Sequence, residues 1–95
     1  MTLTTFYVYS DDSLQAATRI LNAFDLFGLS PTCATIERRG NVYETVVVQR
    51  DLSEARARLL LDRLLAMVLV IDGCIERGEL DEFDLTSPRE RVATL

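Results

Sequence analysis

The hydrophobic period of this chain changes repeatedly between Thr5 and Glu76, and that succession restricts its possible folds more than any single motif does. Thr5-Phe6-Tyr7-Val8-Tyr9-Ser10 alternates in aromatic and β-branched residues, which predicts a strand with Phe6 and Val8 on one face and Tyr7 and Tyr9 on the other. Asp11-Asp12-Ser13 then offers N-cap candidates and negative charge for a helix start. Ala17, Ile20, Leu21, Phe24 and Phe27 recur at helical spacing, Gly28 suits the position just past the helix end, and Pro31 prevents continuation. Two further strands are expected at 32–38 and 42–49, joined by the Arg39-Gly40-Asn41 turn. In the second of them Val42, Glu44, Val46 and Val48 share one face, and Tyr43, Thr45 and Val47 the other.

A second helix follows, capped by Asp51 or Ser53, with Ala57, Leu60, Leu61, Leu64 and Leu65 as its apolar stripe and Leu59 off it. The alternation at 68–76 predicts a last strand, in which Gly73 marks either a bulge or a loosened strand end. The order βαββαβ is the split βαβ, ferredoxin-like plan of the α+β class: a four-stranded antiparallel sheet with two helices on one face. Residues 1–76 are expected to form this domain. Residues 77–95 are expected to be an acidic C-terminal tail, or an arm that packs Leu80, Phe83 and Leu85 on the sheet or on a partner.

Composition narrows the chemistry. With 48% hydrophobic and 26% charged residues in 95, the chain reads as one ordinary globular domain. It has no histidine, lysine or tryptophan. That removes Ser-His and Cys-His nucleophile pairs, an imidazole base, His-ligated zinc, a Schiff-base lysine and a P-loop lysine. Catalysis by paired carboxylates stays open on paper, since Asp and Glu number 15, but no pair falls in an evident apolar cleft. No catalytic residue, metal site or cofactor is expected. A net charge of −5 argues against a nucleic-acid groove, and Arg38-Arg39 and Arg56-x-Arg58 read as solvated surface beside Glu37 and Glu54. The apolar run at 64–71 is too short to span a bilayer, the N-terminal residues lack a targeting signature, and a cytoplasmic location is expected, with no membrane partner. Cys33 and Cys74, without CxxC spacing, read as core thiols.

At Arg19-Ile20-Leu21-x-x-Phe24-x-x-x-Gly28 the chain resembles the first helix of an ACT domain. The stretch Leu61-Asp62-Arg63-Leu64-Leu65-Ala66-Met67-Val68-Leu69-Val70 resembles that family's second helix running into its last strand, in the form found in the small regulatory subunits of acetohydroxy-acid synthase. The resemblance covers about residues 5 to 76. It implies a non-catalytic regulatory module that forms a homodimer, binds an amino acid between subunits at the loop from the first strand into the first helix, and serves a larger catalytic subunit. Where the family often carries Pro-Gly, this chain has Leu14 and Gln15, preceded by Asp11 and Asp12; two carboxylates there would tolerate an ammonium group better than a carboxylate. The ligand set implied is Asp11, Asp12, Ser13, Leu14 and Gln15, with Gly28, Leu29 and Ser30 beyond the helix.

Two other functions fit the same residues. One is a ligand-free interaction module that docks a protein on its open sheet face and C-terminal tail. The other is a small enzyme of the dimeric-barrel type, which would need a catalytic constellation that the residue inventory does not supply.

Overall fold

The computed structural model describes residues 2–79, so the expectations for 80–95 lie outside the described residues. Its elements are β1 (Thr2–Ser10), α1 (Leu14–Leu26), β2 (Cys33–Arg39), β3 (Val42–Arg50), α2 (Glu54–Leu65) and β4 (Val70–Glu79). The strands form one sheet in the order β2-β3-β1-β4, with every neighbouring pair antiparallel. This is the expected ferredoxin-like βαββαβ architecture.

Strand β1 is central and pairs along its whole length with β3 and β4. Its alternation therefore sets both faces of the sheet. Phe6 and Val8 point to the helices and are fully buried, together with Val47 opposite Phe6. Against them pack Ile20 and Phe24 of α1, and Ala57, Leu60 and Leu64 of α2, with Leu52 closing one end. Phe6 and Phe24 meet edge to face, their ring centroids 5.0 Å apart. That arrangement sets the positive edge of one ring against the negative face of the other. Ala16, absent from the expected stripe, is as buried as Ala17, whereas Leu21 and Phe27 are half-buried at its margin. The small Ala16 and Ala17 let the start of α1 approach the sheet closely.

The helix ends follow the capping chemistry in part. α1 stops where Gly28 takes a φ of 80°, the left-handed conformation that glycine adopts without cost. The hairpin β2–β3 turns at Gly40, again at positive φ. Ser53 caps α2, its Oγ accepting from the Arg56 N–H at 3.2 Å, and Glu54 sits in the first turn where the helix dipole favours it. Asp51, the alternative cap, instead takes a φ of 52° in the turn out of β3.

Strand β4 departs from expectation at both ends. It begins at Val70 rather than Val68, and Val68 is 95% exposed in the turn that leaves α2. It continues to Glu79, three residues past the expected end, because Thr2, Leu3 and Thr4 extend β1 and give it partners. The irregularity lies at Ile71: Tyr9 pairs with Asp72 and Ser10 with Val70, so Ile71 is bulged out and 60% exposed. Gly73 serves a different need. A Cβ there would sit 3.2 Å from the Tyr7 carbonyl oxygen and 3.5 Å from methyls of both Leu61 and Leu65. Cys33 and Cys74 are free but are not core thiols: they lie on separate edge strands, on the face turned from the helices, with Cys33 half-buried and Cys74 exposed.

If Phe24 holds the core as this packing implies, Phe24→Ala will cost about 3–5 kcal/mol in urea unfolding. Leu59→Ala, on the 49% exposed face of α2, will change stability by no more than about 0.5 kcal/mol. Equal losses at the two positions would refute the assignment of the helix faces.

Candidate functional site

Beyond Val8 the helix-facing side of the sheet turns polar. Ser10 ends β1 on that face, opposite Tyr43, and Thr45 lies diagonally across from it on β3. Both residues are fully buried, and neither the Ser10 Oγ nor the Thr45 Oγ1 has a hydrogen-bond partner. The next residue, Asp11, adds a third such atom: its Oδ1 is buried and unpartnered, although its backbone is held by an N–H donated to the Leu69 carbonyl at 3.0 Å. Buried oxygens without donors are expensive, at about 1–3 kcal/mol each. Three of them gather where β1 feeds α1.

The start of α1 is correspondingly open. Ser13 stands at the N-cap with extended backbone, but its side chain caps nothing, and the first turn carries no acidic residue. The expected capping by Asp11, Asp12 or Ser13 is therefore not realised. Asp11 instead accepts through its carbonyl from the Ser13 N–H at 2.7 Å, making a tight local turn. Asp12 is drawn away by Arg38, whose Nη2 donates to its Oδ2 at 2.7 Å. The N–H groups of Leu14 and Gln15, the first two residues of the helix, have no intrahelical acceptor and no side-chain cap.

Arg38 was expected to be solvated surface. It reaches from β2 over the Tyr43 ring, 5.9 Å from its centroid, and also donates through Nε to the Gly40 carbonyl at 3.2 Å. One corner thus collects a guanidinium, two carboxylates, two buried hydroxyls and a free helix start. Arg38 and the free N–H groups offer donors to an anionic group and the carboxylates offer acceptors to an ammonium, while the Ser10 and Thr45 hydroxyls are fully buried. Both partners of the Arg38–Asp12 pair are well exposed, so the pair adds at most about 1 kcal/mol to the fold.

The other expected ligand residues do not join this corner. Gly28, Leu29 and Ser30 follow the far end of α1, and thirteen helical residues place them about 20 Å away. There the Leu29 N–H closes the helix on the Phe24 carbonyl at 3.0 Å. Arg56 donates to the Phe27 carbonyl at 2.9 Å and lies 4.9 Å from the Phe27 ring centroid. That end is a helix-to-helix contact. Ser10, Thr45 and Arg38 were absent from the expected ligand set; the only signal for the hydroxyls was a polar residue in register with the apolar face.

The opposite face of the sheet carries a second network. Tyr9 donates to Glu44 Oε2 at 2.8 Å, and Arg39 donates to Glu44 Oε1 at 2.9 Å while lying 3.3 Å from Glu37. Glu44 is thus held from both sides. Among the described residues no group of three or more Cys, Asp or Glu could hold a metal ion, and no helix is long and apolar enough to cross a membrane.

No family profile and no curated relative matches the chain, but solved structures do. The ACT domain of GTP pyrophosphokinase from Chlorobium tepidum superposes with a TM-score of 0.62 at 13% identity, covering 80% of this chain and 96% of that one. The chain shares the ACT-like, ferredoxin-like fold. The C-terminal domain of MgtC from Mycobacterium tuberculosis gives a TM-score of 0.64 at 14% identity, over 83% of this chain and 89% of that one. An acylphosphatase from Bacillus subtilis gives 0.55 at 11% identity, over 86% and 90%. These identities speak to architecture alone.

The Tyr9–Glu44 contact has a pH signature. The hydrogen bond to the Glu44 carboxylate, with partial burial, raises the Tyr9 phenol above its ordinary value. The fold favours the neutral phenol, so this contribution to stability is complete below the ordinary phenol range, near pH 10. It is lost as pH rises through the raised folded value. In an absorbance titration of tyrosinate, Glu44→Gln will move one of the three tyrosine transitions to lower pH. An unchanged titration would show that this hydrogen bond does not hold the phenol.

Proposed function

We propose that this chain is a non-catalytic, ACT-like regulatory subunit that forms a homodimer and senses an amino acid at the start of α1. The observation that carries the reading is the Asp11 Oδ1, buried and without a donor beside a helix start that no side chain caps. A ligand ammonium supplies the donors that Asp11 lacks, with Ser10 and Thr45 as further acceptors beneath it. The ligand carboxylate takes the N–H groups of Leu14 and Gln15 and the Arg38 guanidinium, displacing Asp12 from its exposed ion pair. Ser13 orders the turn between the two halves of the site through its N–H. Gly28, Leu29 and Ser30 are not part of it.

The fold shared with ACT domains supports the regulatory assignment, as does the lack of histidine and lysine in the whole sequence. A larger catalytic subunit is the natural recipient of such a signal, and an intracellular amino-acid pool its natural source. The acylphosphatase likeness favours no enzymatic reading on its own, since fold does not carry function.

A thermal-shift screen over the amino acids tests this. A ligand at 100 times its Kd will stabilise the protein by about 2.7 kcal/mol, several degrees for a domain of this size. Asp11→Asn will weaken that ligand tenfold or more with little change in the melting temperature of the free protein. Asp12→Asn, which frees Arg38, will not weaken it. A screen in which no amino acid shifts the melting would overturn amino-acid sensing and favour a ligand-free interaction module.

A further inference from the structure

The sheet face turned away from the helices has a distinctive layout. Its middle is a band of apolar and small polar side chains from all four strands: Tyr7, Val46, Val48, Thr35, Cys33 and Cys74. Val48 is already buried, and Tyr7, Val46, Thr35 and Cys33 are half-buried. Glu76, opposite Thr5 on β4, is the one charge within this band, and the rest is sorted to the ends of the strands. At the Tyr9 end, Glu37, Glu44 and Asp72 set three carboxylates against the single guanidinium of Arg39. At the other end Arg50, paired with Leu3, is exposed and makes no ion pair among the described residues.

We infer that this open face is where two copies of the chain meet, stacked with their strands running in opposite senses. The inference rests on the homodimer reading above and specifies its geometry. A two-fold axis across the strands, level with residue 6 of β1, sets row 9 of one copy over row 3 of the other. Arg50 of each copy then faces the acidic end of its partner, while the apolar bands cover one another. Stacking with the strands in the same sense would bring the two acidic ends together, and like charges placed face to face are penalised. With the strands opposed, Glu76 of each copy lies over the Cys74 row of its partner, so this is the orientation in which carboxylates do not face one another. This is the property an isologous interface needs.

The area is adequate for a modest dimer. Four strands at about 4.8 Å spacing and seven rows at about 3.3 Å make a footprint of roughly 450 Å² per copy, before side-chain relief is counted. The total approaches the ~1,000 Å² of a small specific interface. Such a dimer dissociates on dilution through the micromolar range. Stacking also leaves the start of α1, on the far side of each sheet, open to a ligand in both copies.

The native thiols report on this face. Cys74 is exposed and Cys33 half-buried there, so a neutral maleimide measures coverage in the unmodified full chain while sedimentation measures assembly. The expected result is that Cys74 labelling slows tenfold or more from dilute to concentrated protein, in step with the dimer fraction. Val46→Asp, or Thr35→Arg should the first fail to fold, will give a monomer with concentration-independent labelling. Leu59→Asp and Val68→Asp, on the helix side and in the α2–β4 turn, will leave the dimer intact. A dimer with undiminished Cys74 labelling overturns the face assignment while leaving self-association standing. A monomer at every concentration overturns both. Shielding that is independent of concentration also overturns the inference, and assigns the face to residues 80–95 of the same chain.

Discussion

The fold depends on the two-residue period of β1. Because β1 has a neighbour on each side, every side chain along it is committed twice, once against β3 and once against β4. Phe6 on the inner face meets Phe24 and organises the helices; Tyr7 and Tyr9 on the outer face organise a surface that neither α1 nor α2 covers. A slip of one residue would exchange these sets, burying two phenols under α1 and exposing Phe6 and Val8. The cost of that exchange, several buried apolar side chains at about 1.5–3 kcal/mol each, pins the register. The β4 bulge is tolerated for the same reason: it lies at the end of β1, past the last core residue Val8.

Element order, the hairpin, most of both helix stripes and the faces of β1 and β3 were legible because each is written in a local period, although Leu65, expected in the α2 stripe, is 41% exposed. What the sequence concealed depends on contacts between distant residues. Val68 continues an apolar run and reads as strand, yet α2 ends in a turn closed by N–H groups of Met67 and Val70, which leaves Val68 in solvent. Gly73 signalled an irregularity, but what it answers is close packing, since a Cβ there would meet the Tyr7 carbonyl and methyls of Leu61 and Leu65; the bulge itself sits at Ile71. Arg77 looked like the start of a tail. It is strand, its guanidinium donating to Thr4 Oγ1 and to the Leu52 carbonyl.

The candidate site was legible by half. Asp11 to Gln15 stood out because strand-to-helix loops place free N–H groups beside the chain, and unusual charge there is visible in one dimension. Its floor was not. Ser10 and Thr45 are ordinary residues in ordinary strand positions, and only the register makes them neighbours under the start of α1. Arg38 read as half of a basic dipeptide, although alternation sends it and Arg39 to opposite faces: Arg38 to Asp12, Arg39 to Glu44. The sequence similarity that suggested Gly28 to Ser30 carried no information about which end of α1 they occupy.

These observations locate where stability has been given up. The far end of the helix-facing surface is better satisfied: Arg77 bonds Thr4 and Leu52 and Ser53 caps α2, although the Gln49 Oε1 is also buried there without a donor. The near end leaves three buried oxygens without donors and α1 without a side-chain cap. A domain selected for stability alone would repair this readily, because apolar residues at 10 and 45 and a working cap at 13 each fall within ordinary substitution. The same fold therefore concentrates its unpartnered oxygens at one end, three beside an uncapped helix start against the single Gln49 Oε1 at the other. That asymmetry, more than the likeness of the fold to ACT domains, is the physical reason to look for a ligand at Asp11.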